Sequence, residues 1–383
     1  MTQPSQTNPA EVNTYDAIVV GAGAAGIGVA IALKDAGLEN YLVLEGDRVG
    51  ASFDNWPAET RFITPSFPTN SVGMVDINAI AIGISPAYAL DTEHPTGSQY
   101  AAHLREVAAF FKVPVQEQTP VLRVTPVGDE FRVDTDEDTL RAKHVIWAAG
   151  EFMYPRLNGF AGSELCTHTA TLASYDALEG DDFLVVGGYE SGIDAAYHLA
   201  QRGKRVRLFD MGSPWDAQTS DPSTALSTYS MERMRDEHFK ANVELFPNTP
   251  VMHVSRSEGK QVLYQLKTLD EELFESPVPP LLASGFVGSH RLVSHLFEDR
   301  EDGYPLLSEN DESTITPGLF LCGAAVRHGN HVFCFIYKYR QRFAVVAKAI
   351  ATSLGLPAER LESYRSWGMY LDDLSCCGEE CVC

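Results

Sequence analysis

The 383-residue chain predicts an α/β fold built on two copies of one strand–turn–helix unit, the second inserted in the first, with a cysteine-rich C-terminal tail. Three observations predict it. Asp16-Ala-Ile-Val-Val20 runs into Gly21-Ala-Gly23-Ala24-Ala25-Gly26, and Phe183-Leu-Val-Val186 runs into Gly187-Gly188-Tyr189-Glu190-Ser191-Gly192, about 165 residues later. Each glycine run separates a β-branched stretch from an alanine-rich amphipathic one, which is the arrangement of a Rossmann-like dinucleotide-binding unit. Proline and glycine mark two crossings around the second copy, at Tyr154-Pro-Arg-Leu-Asn-Gly159 and at Pro277-Val-Pro-Pro280 with Gly285.

In the first unit Gly21 turns the chain out of the strand, Gly23 lets backbone amides approach a pyrophosphate, and Gly26 lets helix and strand pack closely. Ala24 and Ala25 lead into a helix expected over Ile27–Ala36, whose N-terminus offers free N–H groups to an anion. The next strand, Tyr41-Leu-Val-Leu, ends in Glu45-Gly46, an acid placed to accept ribose hydroxyls. Further on, Gln99–Phe111 reads as a helix and Val121–Val133 as paired strands around a Gly128-Asp turn.

The second unit departs from this pattern. Tyr189 stands where the middle glycine belongs, and its side chain crowds the pyrophosphate unless Gly188 lets the loop bend aside. Arg205–Phe209 reads as its second strand and ends in Asp210, an acid that repels a 2′-phosphate and favours NADH, although Arg205 and Arg207 offer some counter-charge. Val243–Leu273 reads as an antiparallel excursion and Val332–Leu354 as a late helix. The expected boundaries are a disordered leader over 1–13, a discontinuous first domain over 14–158 and 286–365, an inserted domain over 159–285, and a tail over 366–383.

Composition narrows the function. The formal charge of −23 argues against nucleic acid or an anionic membrane as partner. The first 13 residues lack a basic start and an apolar core, and no apolar run of about 18 residues follows, so a cytoplasmic location without a membrane span is expected.

With both turns placed, the chain resembles the two-dinucleotide flavoproteins that include bacterial thioredoxin reductases, bacillithiol-disulfide-reductase-like proteins and flavin-containing monooxygenases, over roughly residues 15–355. Further marks are Val145-Ile-Trp-Ala-Ala149-Gly150, similar to the crossover strand of those proteins, and Thr316-Pro-Gly-Leu-Phe-Leu-Cys-Gly323, similar to their late flavin-binding strand. Ala324 replaces the acid that holds the ribityl chain in thioredoxin reductases. Arg340-Gln341 looks like the arginine–glutamine pair of a helix facing the flavin, and Gly50–Trp56 is similar to a segment that places Trp56 near it. The resemblance implies FAD at the first turn and NAD(P)H at the second, with Asp210 leaning towards NADH.

Two departures limit the resemblance. Thioredoxin reductases carry Cys-x-x-Cys before the second turn, whereas here Cys166 stands alone in Glu164-Leu-Cys-Thr-His-Thr169. The monooxygenase signature is also broken: Phe160, Gly162 and His168 are present with two extra residues between glycine and histidine. Candidate chemistry therefore moves to Arg327-His328-Gly-Asn-His331-Val-Phe-Cys334, where His328 and His331 are expected to orient substrate near the flavin and Cys334 to serve as a redox thiol. The other candidates are Cys376, Cys377, Cys381 and Cys383, four of seven cysteines in the last eight residues. These are expected to form a mobile dithiol relay, a soft-metal site or incidental thiols; Glu379 and Glu380 are expected to disfavour their thiolates, and no zinc-ribbon spacing is present. The reading is an FAD-dependent NAD(P)H oxidoreductase reducing a small-molecule or small-protein disulfide or thiol substrate. A flavin monooxygenase and a soft-metal-binding protein are the alternatives, and a homodimer is left open.

Overall fold

The computed structural model describes residues 14–68, 75–219, 221, 223–259 and 262–375. The two glycine units head two separate sheets, the first mixed and the second parallel. In the first, strand Thr14–Val20 lies between Tyr41–Leu44 and Thr139–Trp147, with Val20 in register with Leu44 on one side and Trp147 on the other. Ala17, Ile18 and Val19 are fully buried, as the unbroken apolar run of a two-sided parallel strand requires.

Thr139–Trp147 is shared between two neighbours. Its early residues pair antiparallel with Glu130–Thr135, which turns back to Val121–Val127 through Gly128. Its last residues pair parallel with Leu319–Leu321, in a register that sets Ile146 beside Phe320. That late strand returns to the first sheet only after the whole second sheet has been built, so the second unit is an insertion in the first.

The second sheet runs in the order Val243–Phe246, Arg205–Phe209, Asp182–Val186, Leu281–Leu282, Thr167–His168, with every pairing parallel. Val243 and Leu245 pack on its apolar core, so the antiparallel excursion expected from Val243 begins later. It comprises Val251–Glu258, Val262–Thr268 and Leu273–Ser276.

Two helix expectations also shift. Helix Gly97–Phe111 starts ahead of Gln99 because Thr96 caps it: Gln99 N–H donates to Thr96 Oγ1 (3.3 Å) while Thr96 N–H donates to Gln99 Oε1 (2.9 Å). The single late helix expected over Val332–Leu354 is three pieces, Ile336–Tyr339, a tight turn Arg340–Arg342, and Phe343–Ser353. Buried Arg340 donates to the carbonyls of Asp76 and Ala79, and buried Arg342 pairs with fully buried Asp311. Buried guanidinium groups demand such partners, and these lie far off in sequence. Among the described residues no helix is long and apolar enough to cross a membrane.

Candidate functional site

The first turn is built by close approach. Gly21 has φ +102°, and a Cβ on Gly26 would stand 1.8 Å from the Gly21 carbonyl oxygen. Helix Ala24–Asp35 therefore begins hard against the strand end, with no side-chain cap on its first amides. Above Gly23 there is open space, with nothing within 4 Å of where a Cβ would be. Glu45 closes the turn from the neighbouring strand: its Oε2 accepts from Ala22 N–H (2.6 Å) and its Oε1 from Asp47 N–H (3.0 Å), while burial lifts its carboxyl above the usual range. Beside it Gly46 lies against Pro120. An uncapped helix start, an open cradle and an acid at its rim fit the pyrophosphate and ribose of a dinucleotide.

The second turn repeats this geometry. Gly187 also has φ +102°, and a Cβ on Gly192 would again stand 1.8 Å from the carbonyl oxygen of the turn's first glycine. Asp210 takes the place of Glu45, accepting from Gly188 N–H (2.6 Å) and Gly212 N–H (2.7 Å). Tyr189 has φ −82° and ψ −164°, against −80° and −168° at Gly23. The loop does not bend aside at Gly188, because this position is extended backbone that any residue adopts. The Tyr189 side chain turns out of the turn and its hydroxyl donates to the Ala225 carbonyl (2.8 Å). Gly188 is required by packing instead, since a Cβ there would meet the Trp215 ring at 2.4 Å. Arg207 is turned away towards Asp182 (2.9 and 3.0 Å) and the Glu275 carbonyl.

Between the two turns lies a cavity of about 340 Å³. Gly23, Ala24 and Ala25 of the first turn line it, with Glu190 and Ser191 of the second and Cys334. Ala149 backs Gly21, and Gly323 (φ +111°) lies against Ala25. Residues of both turns thus open onto one space.

Residues 18–323 match the pyridine nucleotide-disulphide oxidoreductase family. The chain belongs to that family. It is 26% identical over 329 residues to bacilliredoxin reductase Bdr of Bacillus subtilis (strain 168), covering 83% of this chain and 92% of that protein. Its fold is similar to that of bacillithiol disulfide reductase Bdr (YpdA) from Staphylococcus aureus, with a TM-score of 0.70 at 18% identity over 89% of this chain and 99% of the other. It is also similar to a flavin-containing monooxygenase from Stenotrophomonas maltophilia, with a TM-score of 0.69 at 14% identity over the same shares. The protein is a flavin- and nicotinamide-dependent oxidoreductase.

In this oxidoreductase the cysteines differ sharply in setting. Cys334 lines the cavity, its Sγ 3.4 Å from Ser223 Oγ, which also accepts from Lys338 Nζ (2.7 Å). Burial pushes the Cys334 thiol up, and Ser223 and Lys338 draw it part of the way back. Cys166 packs with Phe160 and Leu165 at the edge of the second sheet, its thiol pushed to about 12 by burial. Cys322 is buried under the first sheet's core. Cys376, Cys377, Cys381 and Cys383 lie outside the described residues, and among the described residues no cluster is arranged to hold a metal ion.

His328 and His331 sit on the short hairpin Arg327–His328/His331–Val332 and do not line the cavity; His328 Nε2 is 2.5 Å from Asp311 Oδ1. Arg340 holds the Asp76–Ala79 loop, and Gln341 donates to the Tyr337 carbonyl (3.0 Å). Trp56 and Tyr339 line the cavity.

Two features escaped the sequence reading. Glu151, one residue past Gly150, also faces the cavity. Glu59 and Thr60 form a polar seam between the two halves. Thr60 Oγ1 donates to Asp194 Oδ2 (2.7 Å), and Glu59 accepts from Ser174 Oγ (2.6 Å), Tyr175 N–H (3.1 Å) and Arg202 Nη2 (2.8 Å). Neither feature carried a pattern in the sequence.

Proposed function

We propose that this oxidoreductase passes reducing equivalents from NADH to a small disulfide. The observation that carries the reading is Cys334, a thiol on the wall of the cavity onto which both turns open. On this reading Gly21–Gly26, Glu45, Gly150 and Gly323 hold FAD, while Gly187–Gly192 and Asp210 hold the nicotinamide nucleotide. Bound FAD supplies a two-electron carrier between nucleotide and disulfide. The chain's own contribution is positional. Trp56, Phe152 and Phe286 exclude water from the cavity, Lys338 and Ser223 favour the thiolate form of Cys334, and helix Glu190–Gln201 would present its N-terminus to the nucleotide phosphates.

NADH is favoured over NADPH because Asp210 sits at the ribose end of the second turn and Arg207 is engaged with Asp182. The proposed segments are 14–158 with 286–365 for FAD and 159–285 for the nucleotide. The tail cysteines are proposed as a relay to external disulfides.

Anaerobic titration of the flavin absorbance with NADH and NADPH in parallel, followed by a small alkyl disulfide, tests the reading. Reduction by NADH and reoxidation by the disulfide are expected; reduced flavin that the disulfide leaves unchanged overturns it. Removal of residues 376–383 should abolish turnover with a protein disulfide, and unchanged turnover sinks the relay. A second reading, monooxygenation, is favoured by the aromatic lining of the cavity and by the lack of a second cysteine beside Cys334 among the described residues. Oxygen from O2 recovered in an organic product would establish it.

A further inference from the structure

Glu151 lines the same cavity as Cys334 and has no part in the mechanism above. It follows Gly150, whose positive φ (+69°) and carbonyl bond to Ser289 N–H (2.9 Å) turn the chain at the end of strand Thr139–Trp147. Among the described residues no group donates a hydrogen bond to its carboxyl. Three titratable or charged groups lie near it: Arg327, Cys334 and Tyr339. Burial lifts the Glu151 carboxyl above the usual range, and the nearby Arg327 guanidinium offsets that only in part. Cys334 and Tyr339, already raised by burial, are each pushed further by its charge.

His290 lies on the other side of Gly288. The point where a Cβ on Gly288 would stand is 3.9 Å from Glu151 Cβ and 2.7 Å from His290 Nδ1. The His290 ring is only 3% exposed, and neither of its nitrogens has a partner. Burial, followed by Arg291 and Arg327, holds it neutral, with its pKa down to about 4. A carboxyl that burial lifts above the usual range, and to which no described group donates, thus stands on the cavity wall with Cys334.

Reduction of a disulfide by NADH consumes one further proton. The S–S bond breaks, the hydride of NADH supplies both electrons and one proton's worth of hydrogen, and the second sulfur takes its hydrogen from an acid, giving two thiols and NAD+. We propose that Glu151 is that acid. Its carboxyl O–H bond breaks as the leaving sulfur gains an S–H bond, and the carboxylate regains a proton from solvent. This assignment rests on the disulfide reading of the cavity.

The test uses flavin-loaded, full-length enzyme, wild type, Glu151→Gln and Glu151→Asp, reduced anaerobically with NADH and mixed with two probes. Bis(2-hydroxyethyl) disulfide releases a basic thiolate that needs a proton, whereas 5,5′-dithiobis(2-nitrobenzoate) releases one that does not. In Glu151→Gln the ratio of alkyl to aryl rates should fall by about 10²–10⁴-fold, the usual range for a lost general acid, and Glu151→Asp should recover part of it. An unchanged ratio overturns the proposal, whether both rates fall together or neither does. Reoxidation of the wild type by neither probe overturns the disulfide reading, and this assignment with it. A readout independent of turnover is alkylation of Cys334 by iodoacetamide at mildly alkaline pH, followed by peptide mass. Loss of the Glu151 charge should speed it several-fold; an unchanged rate overturns the facing of the two groups.

Discussion

Replacement of Gly192 by alanine offers a sharp test of how the second turn works. The new Cβ would lie 1.8 Å from the Gly187 carbonyl oxygen, and a separation under 3.0 Å is essentially never tolerated against backbone. Helix Glu190–Gln201 must therefore withdraw by about 1.2 Å, the gap between those two distances, or the turn must open. Overpacking of this kind costs about 1–3 kcal/mol, which a domain-sized core tolerates. A shift of about 1 Å at a binding element lowers a rate by about 10²-fold. Gly192→Ala should thus fold, retain its flavin and be reduced normally by dithionite. Its reduction by NADH, followed by stopped-flow under anaerobic conditions, should slow by about 10²-fold. Gly26→Ala meets the same 1.8 Å approach at the first turn and should lose flavin instead. Flavin reduction by NADH at the wild-type rate in Gly192→Ala would refute the argument that this helix start receives the nucleotide.

Asp210→Ser removes the charge at the ribose end of the second turn and should raise the NADPH-to-NADH ratio of kcat/KM by about tenfold, or ~1.4 kcal/mol, in steady-state assays. Asp311→Asn leaves the buried Arg342 guanidinium without its counter-charge and should lower stability by about 3–5 kcal/mol, read as a lower urea midpoint. His290 is held neutral by burial, its pKa down from 6.5 to about 4. The unfolded chain therefore binds the extra proton first, so stability is complete above about pH 6.5 and falls as pH drops towards 4. The loss across that window is about 3 kcal/mol, and His290→Phe, stacked on Tyr304, should flatten the profile of urea midpoint against pH.

Both glycine turns were legible in the sequence because their determinants are local: a strand, a sharp turn and a helix start within a dozen residues. The acids at Glu45 and Asp210 were legible for the same reason, since each ends the strand beside its turn. Tyr189 shows the limit of a motif read as letters. The middle position needs extended backbone, which tyrosine adopts as readily as glycine, and the direction of its ring is decided by Ala225, far along the chain. The break in the late helix at Arg340–Arg342 was illegible because its cause lies in Asp76, Ala79 and Asp311, which no local periodicity reports. Glu151 was illegible for a different reason. A single acid in a segment carries no pattern, and only the folded cavity sets it on one wall with Cys334.

The seam made by Glu59 and Thr60 bears on how this enzyme's halves would be seen to move. Those contacts are hydrogen bonds and an ion pair between Glu59 and Arg202. Parting them would exchange bonds within the protein for bonds to water, and salt screens the ion pair among them. Opening along this line would therefore grow with salt, and its signature would be a change in distance between labels on the two halves as ionic strength rises.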